Sequence, residues 1–344
     1  MELRIVLVGQ RHWVRVLRDA LIRTGEGRIF VRSVDIEALV PNSLSLFGDN
    51  ADLLVRVGLR PGARTVRGQA FDLFWSVLCA SNKKARVAYF WIGTDVMNAA
   101  ADENCAKHTH FFRGAMKHLH IAGSQWLADE LTAVGVSCRT LCFPGPLLDI
   151  PYVVPFPPQF TVLSYVPDNR FRFYGGHLLY DAAIQMPGVR FDILGGTGRW
   201  ARLALPNMLF HGWVTDMVKY YNNACIVARV VEHDGLGATV QEGLLAGRHV
   251  IYTYPVPFCS HVKFGDYREL VAKIEELHHL YRHKKLEVNL PGRRYALAEW
   301  DPRTVATKLI ACFEEYLESS VQPASALNAA SSRGRRIPDG GATY

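Results

Sequence analysis

Several common classes of protein are excluded by what this sequence lacks. No apolar run reaches the ~18 consecutive residues that a membrane-spanning helix needs, and the first residues lack the pattern of a signal peptide. Seven cysteines are present, but none of them belongs to a CxxC pair, so we expect neither a disulfide framework nor a zinc site. These absences lead us to expect a globular protein of the reducing cytoplasm.

Motifs for cofactors and nucleic acids are also missing. The first predicted turn contains Gly9 but no GxGxxG fingerprint, which argues against a nicotinamide or flavin enzyme. No Asp-x-Asp motif occurs, so we expect no bound metal and no cofactor. The formal net charge is +7, yet the basic residues are scattered without interleaved aromatic residues, so we expect no nucleic-acid partner. A solvated surface explains this charge, with peripheral attraction to an anionic membrane as the open alternative.

The composition and the order of apolar segments predict an α/β protein. The chain has 344 residues, of which 49% are hydrophobic and 21% charged, and this suffices for two hydrophobic cores. Apolar strand-like runs alternate with helical stretches, a pattern typical of Rossmann-like, doubly wound parallel sheets. In the first half, the predicted strands are residues 2–9, 29–36, 52–58, 86–93 and 118–124.

A proline-rich segment divides the chain into two parts. Six prolines fall within residues 144–158, which excludes a regular helix there and indicates an interdomain linker. We therefore expect one Rossmann-like domain in residues 1–150 and a second in residues 151–300. A final amphipathic helix is predicted in residues 301–320, and the Ala-, Ser-, Arg- and Gly-rich residues 321–344 are predicted to be a disordered tail.

The stretch from Ala228 to Tyr254 carries the densest functional signal. An apolar strand, a glycine-rich turn, a short helix ended by Gly247 and a second strand form one predicted βαβ unit. Asp234 lies in the turn and Glu242 lies eight positions later, so both are predicted at the sheet edge where such folds bind ligands. An Asp N-cap followed by a solvated Glu is the structural alternative. A phosphate-binding helix N-terminus is predicted from the backbone amides of Gly235, Leu236, Gly237, Ala238 and Thr239.

This stretch resembles the donor-binding motif of the retaining GT-B glycosyltransferases of family 4. Asp234–Gly237 stands where that family has Glu-Gly-Phe-Gly, Glu242 stands at the Glu of its Glu-Ala, and Ala246–Val250 matches its Ala-x-Gly-x-Pro-Val segment. Two residues depart from the pattern, because Asp234 replaces a glutamate and His249 replaces a proline. The resemblance implies two Rossmann-like domains in the GT-B arrangement, with the active site in the cleft between them.

The same resemblance implies roles for residues of the second domain. Asp234 would hold hydroxyls of the donor sugar, and Glu242 would hold those of the ribose. Tyr174 occupies the place of a lysine that clamps the donor diphosphate, so Arg170 or Arg172 is expected to supply the cation. Solvation of these arginines at the surface is the alternative. Further donor contacts are expected at Arg229, Gly196, His211 and Gly212.

The first domain supplies the acceptor side in this resemblance. Gly9, Arg11 and His12 form the first turn and are expected near the acceptor or the diphosphate. Asp95 follows a strand, in a segment similar to the family's His-Gly-Ser/Thr-Asp-Val, and it either acts on an acceptor hydroxyl or caps a helix. Residues 122–127 are similar to the family's Val-Ser-Glu-Trp-Leu segment, and we expect their role to be mainly structural.

The expected activity is transfer of a sugar from a nucleotide-sugar donor to an acceptor hydroxyl, with a glycan or a lipid-linked molecule as acceptor. The resemblance implies retention of the anomeric configuration, and the missing metal motif predicts metal-independent catalysis. A general base at Asp95 would instead permit inversion. Two alternatives remain open. One is a GT-B-fold sugar-nucleotide epimerase or phosphorylase, and the other is a degenerate protein that binds nucleotide-sugar without catalysis.

Overall fold

The computed structural model describes residues 2–36, 50–58, 66–100, 115, 117–145 and 150–319. The described residues form two six-stranded parallel sheets with helices on their faces. This arrangement confirms the predicted α/β class with two doubly wound domains. The predicted tail, residues 321–344, lies outside the described residues.

The first sheet has the strand order β2-β1-β3-β4-β5-β6. Its strands are β1 (Leu3–Gly9), β2 (Ile29–Asp35), β3 (Leu53–Val57), β4 (Arg86–Trp91), β5 (Leu119–Ala122) and β6 (Arg139–Thr140). In the described residues of this half, the helices are α1 (Arg11–Thr24), α2 (Val66–Ser81), α3 (Thr94–Ala100) and α4 (Gln125–Ala133). All residues of β3 and β5 are buried, because helices cover both faces of a parallel sheet and leave no strand position to water.

The second sheet has the strand order β12-β11-β10-β7-β8-β9. Its strands are β7 (Thr161–Tyr165), β8 (Arg190–Leu194), β9 (Met208–Gly212), β10 (Ile226–Arg229), β11 (His249–Tyr252) and β12 (Cys259–His261). The helices described in this half are α5 (Gly176–Gln185), α6 (Met217–Asn222), α7 (Ala238–Leu245), α8 (Tyr267–Arg282), α9 (Leu290–Glu299) and α10 (Pro302–Glu318).

The last helix packs on the first domain. Side chains of α10, including Leu309 and Phe313, lie in one hydrophobic cluster with Leu17 of α1 and Ile5 of β1. The Tyr316 hydroxyl donates to the backbone oxygen of Val87 (3.0 Å). Helix α10 therefore connects the second domain to the first by packing on it.

Arg248, immediately before β11, is a buried cation with incomplete hydrogen bonding. Its side chain is 0% exposed, Nη2 donates to the Val154 oxygen (2.8 Å), and the guanidinium lies 5.4 Å from the Phe156 ring centre. Neither Nε nor Nη1 has a hydrogen-bond partner in the part of the chain that the structure describes. Burial lowers the pKa of Arg248 to about 10.

We expect Arg248→Met to raise the free energy of unfolding by about 1–3 kcal/mol, since it removes unpaired buried donors and keeps most of the side-chain volume. Urea unfolding measures this change. Arg293→Met is the matched control, because both terminal nitrogens of Arg293 donate to backbone oxygens, of Leu245 and Ile150 among others. That control should lower stability, and a loss of stability in both variants would contradict the prediction.

Candidate functional site

The predicted βαβ unit is present as β10, a turn, α7 and β11, with β10 and β11 paired in parallel. Gly237 is the N-cap of α7, and Gly247 follows the helix in the left-handed region (φ +69°). Leu236 in the turn also has a positive φ of 75°, which is unfavourable for a side chain with a Cβ. Such strain is retained only where the surroundings hold the backbone, and it concentrates at functional turns.

The Asp234 carboxylate accepts four hydrogen bonds. Arg229 donates from Nε to Oδ2 (2.8 Å) and from Nη2 to Oδ1 (3.1 Å), as a bidentate ion pair. The Tyr252 hydroxyl donates to Oδ2 (3.1 Å), and the Gly235 amide donates to Oδ1 (3.1 Å). A carboxylate offers about four acceptor positions, so these contacts fill it. Its side chain is only 12% exposed.

Arg229 lies at the end of β10, between Asp234 and Tyr174. Its guanidinium is 5.0 Å from the centre of the Tyr174 ring, which stands where the resembled family has a lysine. Burial lowers the pKa of Arg229, but the adjacent Asp234 charge outweighs burial and raises it above its ordinary value. A permanent cation therefore sits beside Gly237, at the N-terminus of α7.

Glu242 lies inside the second domain. The residue is 6% exposed, and its Oε2 accepts a hydrogen bond from the hydroxyl of Tyr221 (2.7 Å), which is itself fully buried. Burial raises the pKa of Glu242 from 4.5 to about 7, and the Tyr221 hydrogen bond opposes this rise. The carboxyl is thus poised between its neutral and ionised forms near neutral pH. Its expected contact with the donor ribose stays a prediction.

The raised pKa of Glu242 predicts a pH-dependent stability. The folded protein holds the Glu242 proton more tightly than the unfolded chain does. This preference contributes fully to the free energy of unfolding below pH 4.5, and the contribution is lost as the pH rises through about 7. Glu242→Gln keeps an acceptor for Tyr221 and cannot ionise. We expect this variant to be more stable than the wild type at pH 8 by about 3 kcal/mol, and equal to it near pH 4. Chemical unfolding from pH 4 to 8 measures the difference, and a flat difference would contradict the prediction.

The Asp234 turn packs directly on the carboxyl edge of the first sheet. A Cβ built on Gly235 would lie 2.0 Å from the Ile92 oxygen, just beyond β4. Gly93 and Gly123 approach the same turn. A Cβ on Gly93 would lie 3.4 Å from the Gly235 nitrogen, and a Cβ on Gly123 would lie 3.5 Å from the Gly235 oxygen. The Trp126 indole Nε1 donates to the Asp234 backbone oxygen (2.6 Å). Glycine allows these backbones to meet, because any side chain would separate them.

Asp95 lies at the N-terminus of α3 and accepts backbone hydrogen bonds there. Its Oδ1 accepts from the amides of Gly93 (2.8 Å) and Ile92 (3.2 Å). Burial raises the pKa of Asp95 to about 6, and these amides oppose the rise. The contacts hold the segment that faces Gly235. A role as general base for an acceptor hydroxyl stays a prediction.

The first turn of the chain lies at the same edge of the first sheet. Gly9 ends β1, and a Cβ there would be 2.6 Å from the Val57 oxygen. The Arg11 Nε donates to Asp35 (2.6 Å), and His12 is partly covered beside Trp13, which lowers its pKa by burial. Contacts of this turn with an acceptor or a diphosphate stay predictions.

The two arginines expected at the diphosphate lie on aromatic rings. The Arg170 guanidinium is 3.9 Å from the centre of the Phe173 ring, and that of Arg172 is 5.5 Å from the Phe171 ring. Arg172 is exposed, whereas Arg229 is enclosed and points at the N-terminus of α7. Arg229 therefore places a cation beside the turn, and the contact of Arg170 or Arg172 with the diphosphate stays a prediction.

A second pair of turns adjoins β8 and β9. Gly196 lies in a turn held by Asp168, whose Oδ2 accepts from the Thr197 amide (2.9 Å) and hydroxyl (2.8 Å). The Gly212 amide donates to the Gly196 oxygen (3.0 Å), and His211 Nε2 lies 2.9 Å from the Asp192 carboxylate. These residues lie together at the carboxyl edge of the sheet. Their expected contact with the base stays a prediction.

Four residues that contact the acids or hold a turn were not identified from the sequence: Asp168, Tyr221, Tyr252 and Trp126. Tyr252 and Trp126 are distant from Asp234 in sequence, and no local pattern links them.

Among the described residues, no group of three His, Cys, Asp or Glu side chains is placed to hold a metal ion. In the described ranges, no helix combines the length and the apolar character of a membrane span.

No protein-family model and no curated protein matches this sequence. Solved structures with the same architecture do match. Sucrose-phosphate synthase from Thermosynechococcus elongatus aligns with 92% of this chain and 100% of its own, at 14% identity and a TM-score of 0.67. Anabaena HepE, solved with UDP and glucose, aligns with 91% of this chain and 99% of its own, at 14% identity and a TM-score of 0.61.

A third match is the pneumococcal O-GlcNAc transferase GtfA, solved with UDP and GlcNAc. It aligns with 80% of this chain and 58% of its own, at 16% identity and a TM-score of 0.52. At such identities a structural match establishes the fold and not the activity. These neighbours are GT-B glycosyltransferases, and the fold that this chain shares with them is the GT-B fold.

Proposed function

We propose that this chain is a glycosyltransferase that moves a sugar from a nucleotide-sugar donor to an acceptor hydroxyl. The observation that carries the proposal is the position of the Asp234 turn. It lies at the carboxyl edge of the second sheet and faces the carboxyl edge of the first, and open α/β sheets bind their ligands at these edges. Two of the neighbours with this fold, HepE and GtfA, were solved with UDP and a sugar.

In this proposal the donor diphosphate binds at the N-terminus of α7. The amides of Gly235–Thr239 and the guanidinium of Arg229 supply positive charge there, where negative charge develops as the diphosphate leaves. Asp234 holds hydroxyls of the donor sugar, and Glu242 serves the ribose side. Retention of configuration and independence of a divalent metal are parts of the same proposal.

The acceptor in this proposal is a glycan or a lipid-linked molecule at an anionic membrane surface. Leu73 and Val77 on α2 are 68% and 44% exposed, and the exposed Lys83 and Lys84 follow the same helix. An apolar helix face beside lysines suits acidic lipid headgroups. If the protein binds neither anionic nor neutral lipid vesicles, the proposed association with a membrane is refuted.

The free cysteines among the described residues support a reducing, cytoplasmic location.

A second candidate is a protein that binds nucleotide-sugar without turning it over. It is favoured by the four hydrogen bonds that fill the Asp234 carboxylate, because a sugar hydroxyl must displace one of them to bind. The Tyr252 hydroxyl and the Gly235 amide are the bonds most easily displaced, because both are neutral donors whereas Arg229 is charged.

Incubation of the full chain with a panel of UDP-, GDP- and ADP-sugars distinguishes the two candidates. Slow hydrolysis of one donor, without added acceptor, is the result we expect of a transferase. Tight binding with no hydrolysis favours the second candidate, and an epimeric product would indicate an epimerase. No binding of any member of the panel would refute the proposed function.

A further inference from the structure

Helix α4 of the first domain contacts both sides of Asp234. The Trp126 Nε1 donates to the Asp234 backbone oxygen (2.6 Å), and the Trp126 ring stacks on Tyr254 with centres 4.7 Å apart at 21°. One helical turn later, the Glu130 carboxylate lies 2.9 Å from Nε2 of His233. A single face of α4 therefore holds the residue before Asp234, Asp234 itself, and the segment after β11.

The side chain and the backbone oxygen of Asp234 are hydrogen-bonded by different domains. Its carboxylate is bonded within the second domain by Arg229 and Tyr252. Its backbone oxygen is bonded from the first domain by Trp126. Because Leu236 lies two residues further on with a positive φ, the turn is not in a relaxed conformation and depends on such contacts. The orientation of the turn is thus linked to the approach of the two domains.

We propose that Trp126 is a positioning residue, which sets the orientation of the Asp234 turn when the first domain lies against the second. This inference rests on the proposed transferase function and adds the device that aligns its acid. The indole N–H is a donor without acceptor capacity, so it fixes one backbone oxygen in one place. The stacked Tyr254 ring fixes the plane of the indole and hence the direction of that N–H.

Trp126→Phe separates the two contacts, because phenylalanine keeps a ring for Tyr254 and loses the N–H. With the donor identified by the panel, we expect kcat to fall about tenfold in this variant and about 30-fold in Trp126→Ala. Affinity for the free nucleoside diphosphate should fall less than kcat, since the turn supplies only part of its expected contacts and the Arg229 guanidinium is not bonded to Trp126. Asp129→Ala is the matched control, an exposed residue of α4 whose carboxylate accepts from Gln125.

Hydrogen exchange gives a second readout that does not need turnover. The amides of residues 233–239 should exchange about tenfold faster in Trp126→Phe, while those of β7 should not change. Unchanged exchange in both Trp126 variants would overturn the inference, as would an equal loss of kcat and nucleotide affinity. If no donor is hydrolysed but exchange accelerates, the transferase proposal fails, and the control of the turn by Trp126 stands.

Discussion

Asp234→Ala is expected to lower turnover on the order of 10²-fold to 10³-fold and to destabilise the fold at the same time. The loss of turnover follows from the proposed role of the carboxylate beside the reacting sugar, where removing one charged contact has effects of this size. The loss of stability follows from Arg229, which is 11% exposed and would be left without its ion-pair partner. Breaking a buried pair on one side costs about 3–5 kcal/mol.

The double variant Arg229→Met/Asp234→Ala separates these two effects. Removing both charges leaves no unpaired cation, so most of the lost stability should return. Turnover should not return, because the carboxylate and the cation proposed for the diphosphate are both absent. Steady-state kinetics on the identified donor and urea unfolding of the three proteins make the comparison. A double variant that regains both stability and turnover would contradict the proposed roles of both Asp234 and Arg229 in catalysis.

Most of the strand order, except for the short strands β6 and β12, could be predicted because strands such as β3, β4 and β10 are almost wholly buried and are read as continuous apolar runs. The βαβ unit around Asp234 was predicted for the same reason, with Gly237 and Gly247 at the ends of its helix. Helix α9 was not predicted, because its first residues include Pro-Gly. Proline is acceptable in the first turn of a helix, and the Gly292 amide is capped there by Asn289 (2.9 Å).

The state of the two acids could not be predicted from their spacing. The eight positions between Asp234 and Glu242 place both on one βαβ unit. They say nothing of Arg229, Tyr252 or Tyr221, which determine how the carboxylates are bonded. Such contacts depend on which strands are neighbours in the sheet, and this information is absent from a local motif.

Gly235→Ala is the substitution expected to test the contact between the two domains most directly. The new Cβ would lie 2.0 Å from the Ile92 oxygen and 3.0 Å from Cδ1 of Leu127. Both obstacles belong to the first domain, and the nearer one is backbone, so no side-chain rotation relieves the clash. The turn must therefore move away from the first sheet, taking Asp234 with it.

A displacement of about 1 Å at a reacting centre is enough to reduce turnover on the order of 10²-fold. We expect this loss in Gly235→Ala, together with faster hydrogen exchange at residues 233–239 and little change in the core of either sheet. Gly188→Ala is the matched control, because a Cβ at Gly188 would meet nothing within 4 Å. Wild-type turnover in Gly235→Ala would mean that catalysis does not need this contact between the domains. Since Trp126 is bonded to the same turn, the inferred role of its N–H would fall with it.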